Sequence, residues 1–267
     1  VTSQLIRTDD GVDLHVRLEG EPGRPVVMLS HSIGFDLTMW EAQRVALLPR
    51  FRVLRFDRRG HGKSGVPDQP ADTARLGRDV LSILDSLGLA RVAFVGISQG
   101  GMEGMWLGAN APARLDRLVI ANSAPWLGMP ERLQSAIDAA LGPNGATALA
   151  GLAAGFLERW LDEDFRQRVP AYYARLLRGF ATMSPRGFAA CAAALRDVDL
   201  RGELARISVP TLVIVGGGEE QSLQEAARGL TGAIPGARLA VIDGGGHLTA
   251  LDRPVEFNRC LLEFLTV

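Results

Sequence analysis

FVGISQGGM, residues 94–102, is the stretch on which the reading of this chain turns. An apolar run, residues 92–95, leads into it and a helix-like run, residues 99–110, leads out, so Ser98 falls in the turn between a strand and a helix. Gly96 and Gly100 stand two positions to either side. So sharp a turn brings strand and helix backbones together, and side chains at those two positions have to be nearly absent. Gly101 adds room. A serine placed here is either an ordinary helix N-cap in a glycine-loosened turn or a nucleophile raised above the end of a strand. The strand before it and the helix after it favour the nucleophile.

Working outward, short β-rich runs recur at residues 5–7, 14–18, 26–29, 53–56, 118–121, 212–215 and 239–242. The later ones are almost continuously apolar, as strands covered on both faces are. Between them lie helical patterns. In residues 73–87, Leu76, Val80, Ile83, Leu84 and Leu87 recur at helical spacing and Gly88 follows as a stop. Strands alternating with helices of this length imply parallel crossovers and an α/β fold with a mostly parallel central sheet. The first two runs alternate apolar with polar and suit an antiparallel edge hairpin.

The rhythm breaks in residues 126–200, where Ala, Leu and Arg dominate and helices can be drawn around Pro130, Pro143, Pro170 and Pro185. The expected organisation is a core of residues 1–125 and 201–267 carrying a helical cap insertion, 126–200. Most of the insertion's aromatics are expected in its own core, with one or two facing a ligand.

Composition narrows the partners. The 267 residues carry 29 Lys+Arg against 30 Asp+Glu, with no basic block, so nucleic acid is not an expected partner. No apolar run reaches the length of a membrane span, and the opening VTSQLIRTDD lacks the pattern of a signal peptide, so no membrane association and a cytoplasmic location are expected. Cys191 and Cys260, far apart and outside any CxxC spacing, are expected to be buried thiols. No HExxH or comparable spacing points to a metal.

A serine hydroxyl needs a base to become a nucleophile, and the base needs a carboxylate to orient it. Of four histidines, His15 is read as a solvent-facing strand residue, His61 as a loop hydrogen-bonding group in DRRGHGKS, and His31 as part of a loop whose backbone donors matter more than a base. His247, in VIDGGGHL after the last strand run, sits on a glycine-rich loop able to deliver an imidazole to the serine. The order nucleophile, acid, histidine then places the acid after residues 212–215, in GGGEEQ. Glu219 is favoured for its spacing from the strand, with Glu220 a close second; both also read as ordinary acids at a helix start. Backbone donors for a developing oxyanion are expected from Gln99, the residue after the nucleophile, and from Ile33 in SHSIG.

These residues resemble those of the α/β-hydrolases and, among them, the 3-oxoadipate enol-lactonases. The resemblance spans nearly the whole chain, through SHSIGFDLTMW, FRVLRFDRRGHGKS, GISQGGMEGMWLGANAPARLDRLVIANSA, RWLDEDFRQRVP, CAAALRDVDLR and GARLAVIDGGGHLTALDRPVEF. It implies a cofactor-independent enzyme of aromatic-compound breakdown that opens a carboxylated enol-lactone with water. Ser98 attacks, His247 takes its proton, and the N–H groups of Ile33 and Gln99 hold the oxyanion. A cation for the substrate carboxylate is expected, with Arg58 a candidate, and Trp126 and Trp160 are candidates for the cap wall. The partner is a small lactone or ester, and homo-oligomer formation is left open.

The chain departs from the family in two places. It reads GGGEEQSL where an aspartate is usual, and His31-Ser32 where HisGly is common. The same scaffold also serves general esterases, carbon–carbon bond hydrolases and cofactor-free perhydrolases, or a noncatalytic binding protein. LVIVGGGEEQ resembles a dinucleotide loop only in its first two glycines, since Gln221 occupies the third position.

Overall fold

The computed structural model describes residues 2–266. Eight strands form one sheet: β1 (Thr2–Arg7), β2 (Asp13–Glu19), β3 (Val26–Ser30), β4 (Arg52–Phe56), β5 (Val92–Ile97), β6 (Leu115–Ala121), β7 (Thr211–Gly216) and β8 (Arg238–Ile242). Their spatial order is β1-β2-β4-β3-β5-β6-β7-β8. The expected edge hairpin is present, with β1 antiparallel to β2 and β2 antiparallel to β4, while β3 to β8 all run parallel. Every residue of β3, β5 and β7 is buried, which is why these strands are nearly unbroken apolar runs.

Helices α1 (Glu41–Leu47), α2 (Thr73–Ser86) and α3 (Gln99–Asn110) belong to the first half. The Asp72 side chain caps α2 by accepting the Arg75 N–H. Leu76, Val80, Ile83 and Leu84 are buried, and Gly77 lets the Trp106 indole lie where a Cβ would be only 2.0 Å from the ring. That contact packs α2 on α3.

Five helices lie between β6 and β7: α4 (Pro130–Leu141), α5 (Gly145–Trp160), α6 (Glu163–Arg168), α7 (Pro170–Ala181) and α8 (Pro185–Asp197). Three of them begin with proline, whose missing N–H costs nothing at a first helical position. Helix α8 is the buried one, its residues 187–195 all inaccessible, so its alanine-rich composition reflects close packing against α4 and the core. The chain ends with α9 (Gln221–Ala233), α10 (Thr249–Asp252) and α11 (Pro254–Leu265).

His15 corrects one expectation. It is buried, with Nδ1 2.8 Å from Asp57 Oδ2 and Nε2 3.0 Å from Ser3 Oγ. Alternation along β2 marks two faces but not what covers them, and the turn after β4 covers this one. Cys191 is buried and Cys260 half-buried, both as free thiols.

Candidate active site

Ser98 joins β5 to α3 with φ +54° and ψ −119°, a left-handed backbone that a side chain adopts only when its surroundings impose it. The flanking glycines show what imposes it. A Cβ on Gly96 would lie 2.0 Å from the Gly100 carbonyl oxygen, and one on Gly100 would lie 2.3 Å from the Ser30 carbonyl oxygen. The bend is tied to β6 as well: the Ser98 N–H donates to the Ala121 carbonyl at 2.9 Å, and the Ser123 hydroxyl donates to the Ser98 carbonyl at 2.7 Å.

His247 comes from the loop after β8, and its Nε2 lies 3.1 Å from Ser98 Oγ, although 149 positions separate them. On the other side of the ring, Nδ1 lies 2.7 Å from Glu219 Oε2. Glu219 follows β7 and is buried, whereas Glu220 is exposed at the cavity and does not bond to His247; its N–H donates to Glu219 Oε1 at 3.0 Å. Burial works against the Glu219 carboxylate, but the hydrogen bond and charge of His247, the Glu220 N–H and the Asn122 amide outweigh it and hold the carboxyl below its usual range. An ionised carboxylate at Nδ1 leaves Nε2 free to take a proton from the serine.

Gln99 is the first residue of α3, so its N–H is one that the helix leaves without an internal acceptor. Its side chain is locked elsewhere, Nε2 donating to the Cys191 carbonyl of α8 at 2.7 Å. Ile33 lines the same cavity as Ser98 and His247. That cavity, about 640 Å³, is walled mainly by apolar side chains, among them Met102, Phe156, Trp160 and Phe188. It has the size and character of a small-molecule site.

The alpha/beta hydrolase fold family model matches residues 25–254. The chain belongs to the α/β hydrolase fold family. The hydrolase is 32% identical over 254 residues to 3-oxoadipate enol-lactonase 2 of Acinetobacter baylyi, covering 95% of this chain and 93% of that protein. It is also 32% identical over 267 residues to a Caulobacter sp. (strain K31) protein that carries the provisional name carbamate hydrolase RutD, covering 97% of each. Among solved structures, the enol-lactonase from Burkholderia xenovorans LB400 superposes with a TM-score of 0.94 at 34% identity, over 99% of this chain and 100% of that one.

Two of the substrate-binding candidates lie away from the hydrolase's cavity. Arg58 is buried in an ion pair with Glu103, with further bonds to Ser30 Oγ and the His31 carbonyl. It ties β3 and α3 together and cannot reach a substrate. Trp126 is about half exposed, carries the Arg201 guanidinium 4.4 Å above its ring, and does not line the cavity. Trp160 does line it, stacked on His247 with ring centroids 5.1 Å apart.

The remaining histidines are structural. His61 accepts the Gly34 N–H at Nε2, and burial followed by the Arg58 charge pushes it down to about 3. Burial, with Arg58 and His61 adding to it, likewise holds His31 well below the usual imidazole range, and its Nε2 accepts the Arg58 N–H.

Sequence reasoning missed Asn122, which bonds to Glu219, and the two cavity arginines Arg132 and Arg159. Both arginines are exposed, and neither lies within ion-pair distance of a carboxylate of the described residues. Their signal was weak, because an arginine on a helix reads as part of a solvated face.

Among the described residues no cluster of His, Cys, Asp and Glu is arranged to hold a metal ion, and no helix is long and apolar enough to cross a membrane.

Proposed function

We propose that this hydrolase opens a carboxylated enol-lactone, with 3-oxoadipate enol-lactone as the reference substrate, through an acyl-enzyme on Ser98. The observation that carries the reading is the unbroken string Ser98 Oγ, His247 and Glu219 at 3.1 and 2.7 Å, opening into an apolar cavity with two arginines, Arg132 and Arg159, that are not held in ion pairs with the described residues. Residues 126–200 act as the cap, and residues 1–125 and 201–267 as the core that holds the triad.

In the first half-reaction Ser98 Oγ bonds to the lactone carbonyl carbon while His247 Nε2 takes the hydroxyl proton. The carbonyl oxygen becomes an oxyanion that the Ile33 and Gln99 N–H groups stabilise. Collapse breaks the ring C–O bond, and the electron pair leaves on the enol oxygen, which takes the proton back from His247. The enol then becomes the ketone. In the second half-reaction His247 deprotonates a water that attacks the acyl carbon, and Ser98 leaves as the free hydroxyl. Nucleophile, base and oxyanion donors all come from the chain, so the scheme requires no cofactor.

Arg132 and Arg159 take the place first given to Arg58, as cations for the free carboxylate of the substrate. Trp160 forms the apolar wall beside the base. The carbamate-named relative motivates a second reading, attack on a carbamate carbonyl by the same serine. The two cavity arginines and the apolar wall favour the lactone. Turnover on a panel of carboxylated enol-lactones, carbamates and neutral esters tests the reading: we expect the highest kcat/KM on a carboxylated lactone. Turnover of neutral esters or carbamates with none on any carboxylated lactone would overturn the substrate while leaving acyl transfer in place.

A further inference from the structure

Asn122 stands just beyond the end of β6, buried, with φ +41°. A residue with a side chain is costly in that left-handed conformation unless the side chain is needed there. Its amide makes three hydrogen bonds to three parts of the site. Nδ2 donates to Glu219 Oε2 at 3.1 Å and to the Gly246 carbonyl at 3.0 Å, while Oδ1 accepts the Thr249 hydroxyl at 2.7 Å. Asn122 therefore touches the acid, the residue before the histidine, and the start of the helix after it.

Thr249 sets the orientation of that amide. Turned over, the amide would press its oxygen against the Glu219 carboxylate and lose both donations. Gly246 is also held from its other side, its N–H donating to Asp252 Oδ2 at 2.7 Å. The peptide units leading into His247 are thus gripped at a donor and an acceptor by two buried side chains.

The usual acid of this fold is an aspartate, and a glutamate has one more rotatable bond between backbone and carboxylate. It needs more restraint to present one oxygen to Nδ1. Here Oε1 takes the Glu220 N–H, and Oε2 is shared by His247 Nδ1 and Asn122 Nδ2. Without the amide, Oε2 keeps only the histidine and the Gly246 carbonyl loses its side-chain donor.

We propose that Asn122 is a positioning residue: by bridging Glu219 and the Gly246 carbonyl, its amide holds the acid and the histidine loop in one register and lets a glutamate serve in this triad. The inference rests on the triad roles given above, and not on the identity of the lactone.

A double-mutant cycle tests it, read by p-nitrophenyl acetate turnover and by the rate of fluorophosphonate labelling in the wild type, Asn122→Gly, Glu219→Ala and the double variant. Glycine suits the left-handed backbone, so the amide is removed without a new conformational cost. Thr249→Val, which frees the amide to turn, is the second probe, and circular dichroism and Tm report the fold of each variant.

Asn122→Gly should lower kcat on the order of 10-fold to 100-fold with a smaller change in KM, the scale of a misplaced catalytic group. In the Glu219→Ala background the same change should cost less by roughly an order of magnitude, because the group it positions is gone. Thr249→Val should lose activity in the same direction. An equal loss in both backgrounds, or none in the wild type, would overturn the proposal. A coupled cycle in an enzyme that ignores enol-lactones would sink the substrate reading and leave Asn122 in place; an additive cycle in an active lactonase would do the reverse.

Discussion

The imidazole of His247 lies against the indole of Trp160, ring centroids 5.1 Å apart and planes inclined by 29°. One ring belongs to the loop after β8 and the other to the end of α5, so the base is located by both that loop and that helix. Phe156 also stacks on Trp160, with ring centroids 4.8 Å apart, and extends the contact. Trp160→Ala should reduce kcat/KM about tenfold, the value of one aromatic contact, while Trp160→Phe keeps most of the activity. Steady-state kinetics of the two variants checks this, and equal losses in both would break the link.

Glu219 and Glu220 are adjacent in sequence and both line the cavity, but only Glu219 is buried and bonded to His247. Glu219→Gln leaves the shape but removes the charge that orients His247, and kcat should fall on the order of 10⁴-fold. Glu220→Gln, at an exposed carboxylate, should stay within about threefold of the wild type. The reverse ranking would move the acid to Glu220.

The arginines separate binding from folding. Arg132→Ala or Arg159→Ala should raise KM for a carboxylated lactone about tenfold while leaving KM for p-nitrophenyl acetate unchanged, since only the anionic substrate loses a charge-assisted bond. Arg58→Ala instead strands the buried Glu103 and should lower stability by about 3–5 kcal/mol in urea unfolding. A selective KM effect at Arg58 would contradict this division.

Asp252 predicts a pH dependence. Burial pushes its carboxyl up to about 6, against the pull of the Gly246 N–H and Arg253. The folded chain then holds a proton that the unfolded chain has released, so this group lowers stability as pH rises from the ordinary carboxylate range to about 6. Glu219 acts in the opposite sense: its lowered carboxyl contributes stability that is lost as pH falls through the folded value. In Asp252→Asn the falling limb between about pH 4 and 6 should flatten, as read from urea midpoints across that range. An unchanged slope would assign the limb to another group.

What could be read along the chain was what local sterics or periodicity enforces. The two glycines beside Ser98 are demanded by backbone contacts of 2.0 and 2.3 Å, and so the bend was legible in five residues. Helix α3 was expected at the position where it lies, residues 99–110. What could not be read depends on partners far away in sequence. His15 meets Asp57 from 42 positions off, and Arg58 meets Glu103 from 45, so a solvent-facing histidine and a substrate-binding arginine were reasonable expectations and incorrect ones. Trp126 failed for a related reason: an aromatic in a helical insertion can face the cavity or the solvent, and here Arg201 covers its outer face.

The same geometry contains a second string of this kind, Ser3, His15 and Asp57, at 3.0 and 2.8 Å. Ser3 lies within the edge strand β1 and not in a turn from a strand into a helix, where Ser98 stands. The decisive measurement is therefore where a fluorophosphonate reacts, by intact mass and peptide mapping. One adduct per chain on Ser98, absent in Ser98→Ala and retained in Ser3→Ala, is the result predicted here; no adduct, or one that persists in Ser98→Ala, would contradict acyl transfer at this serine.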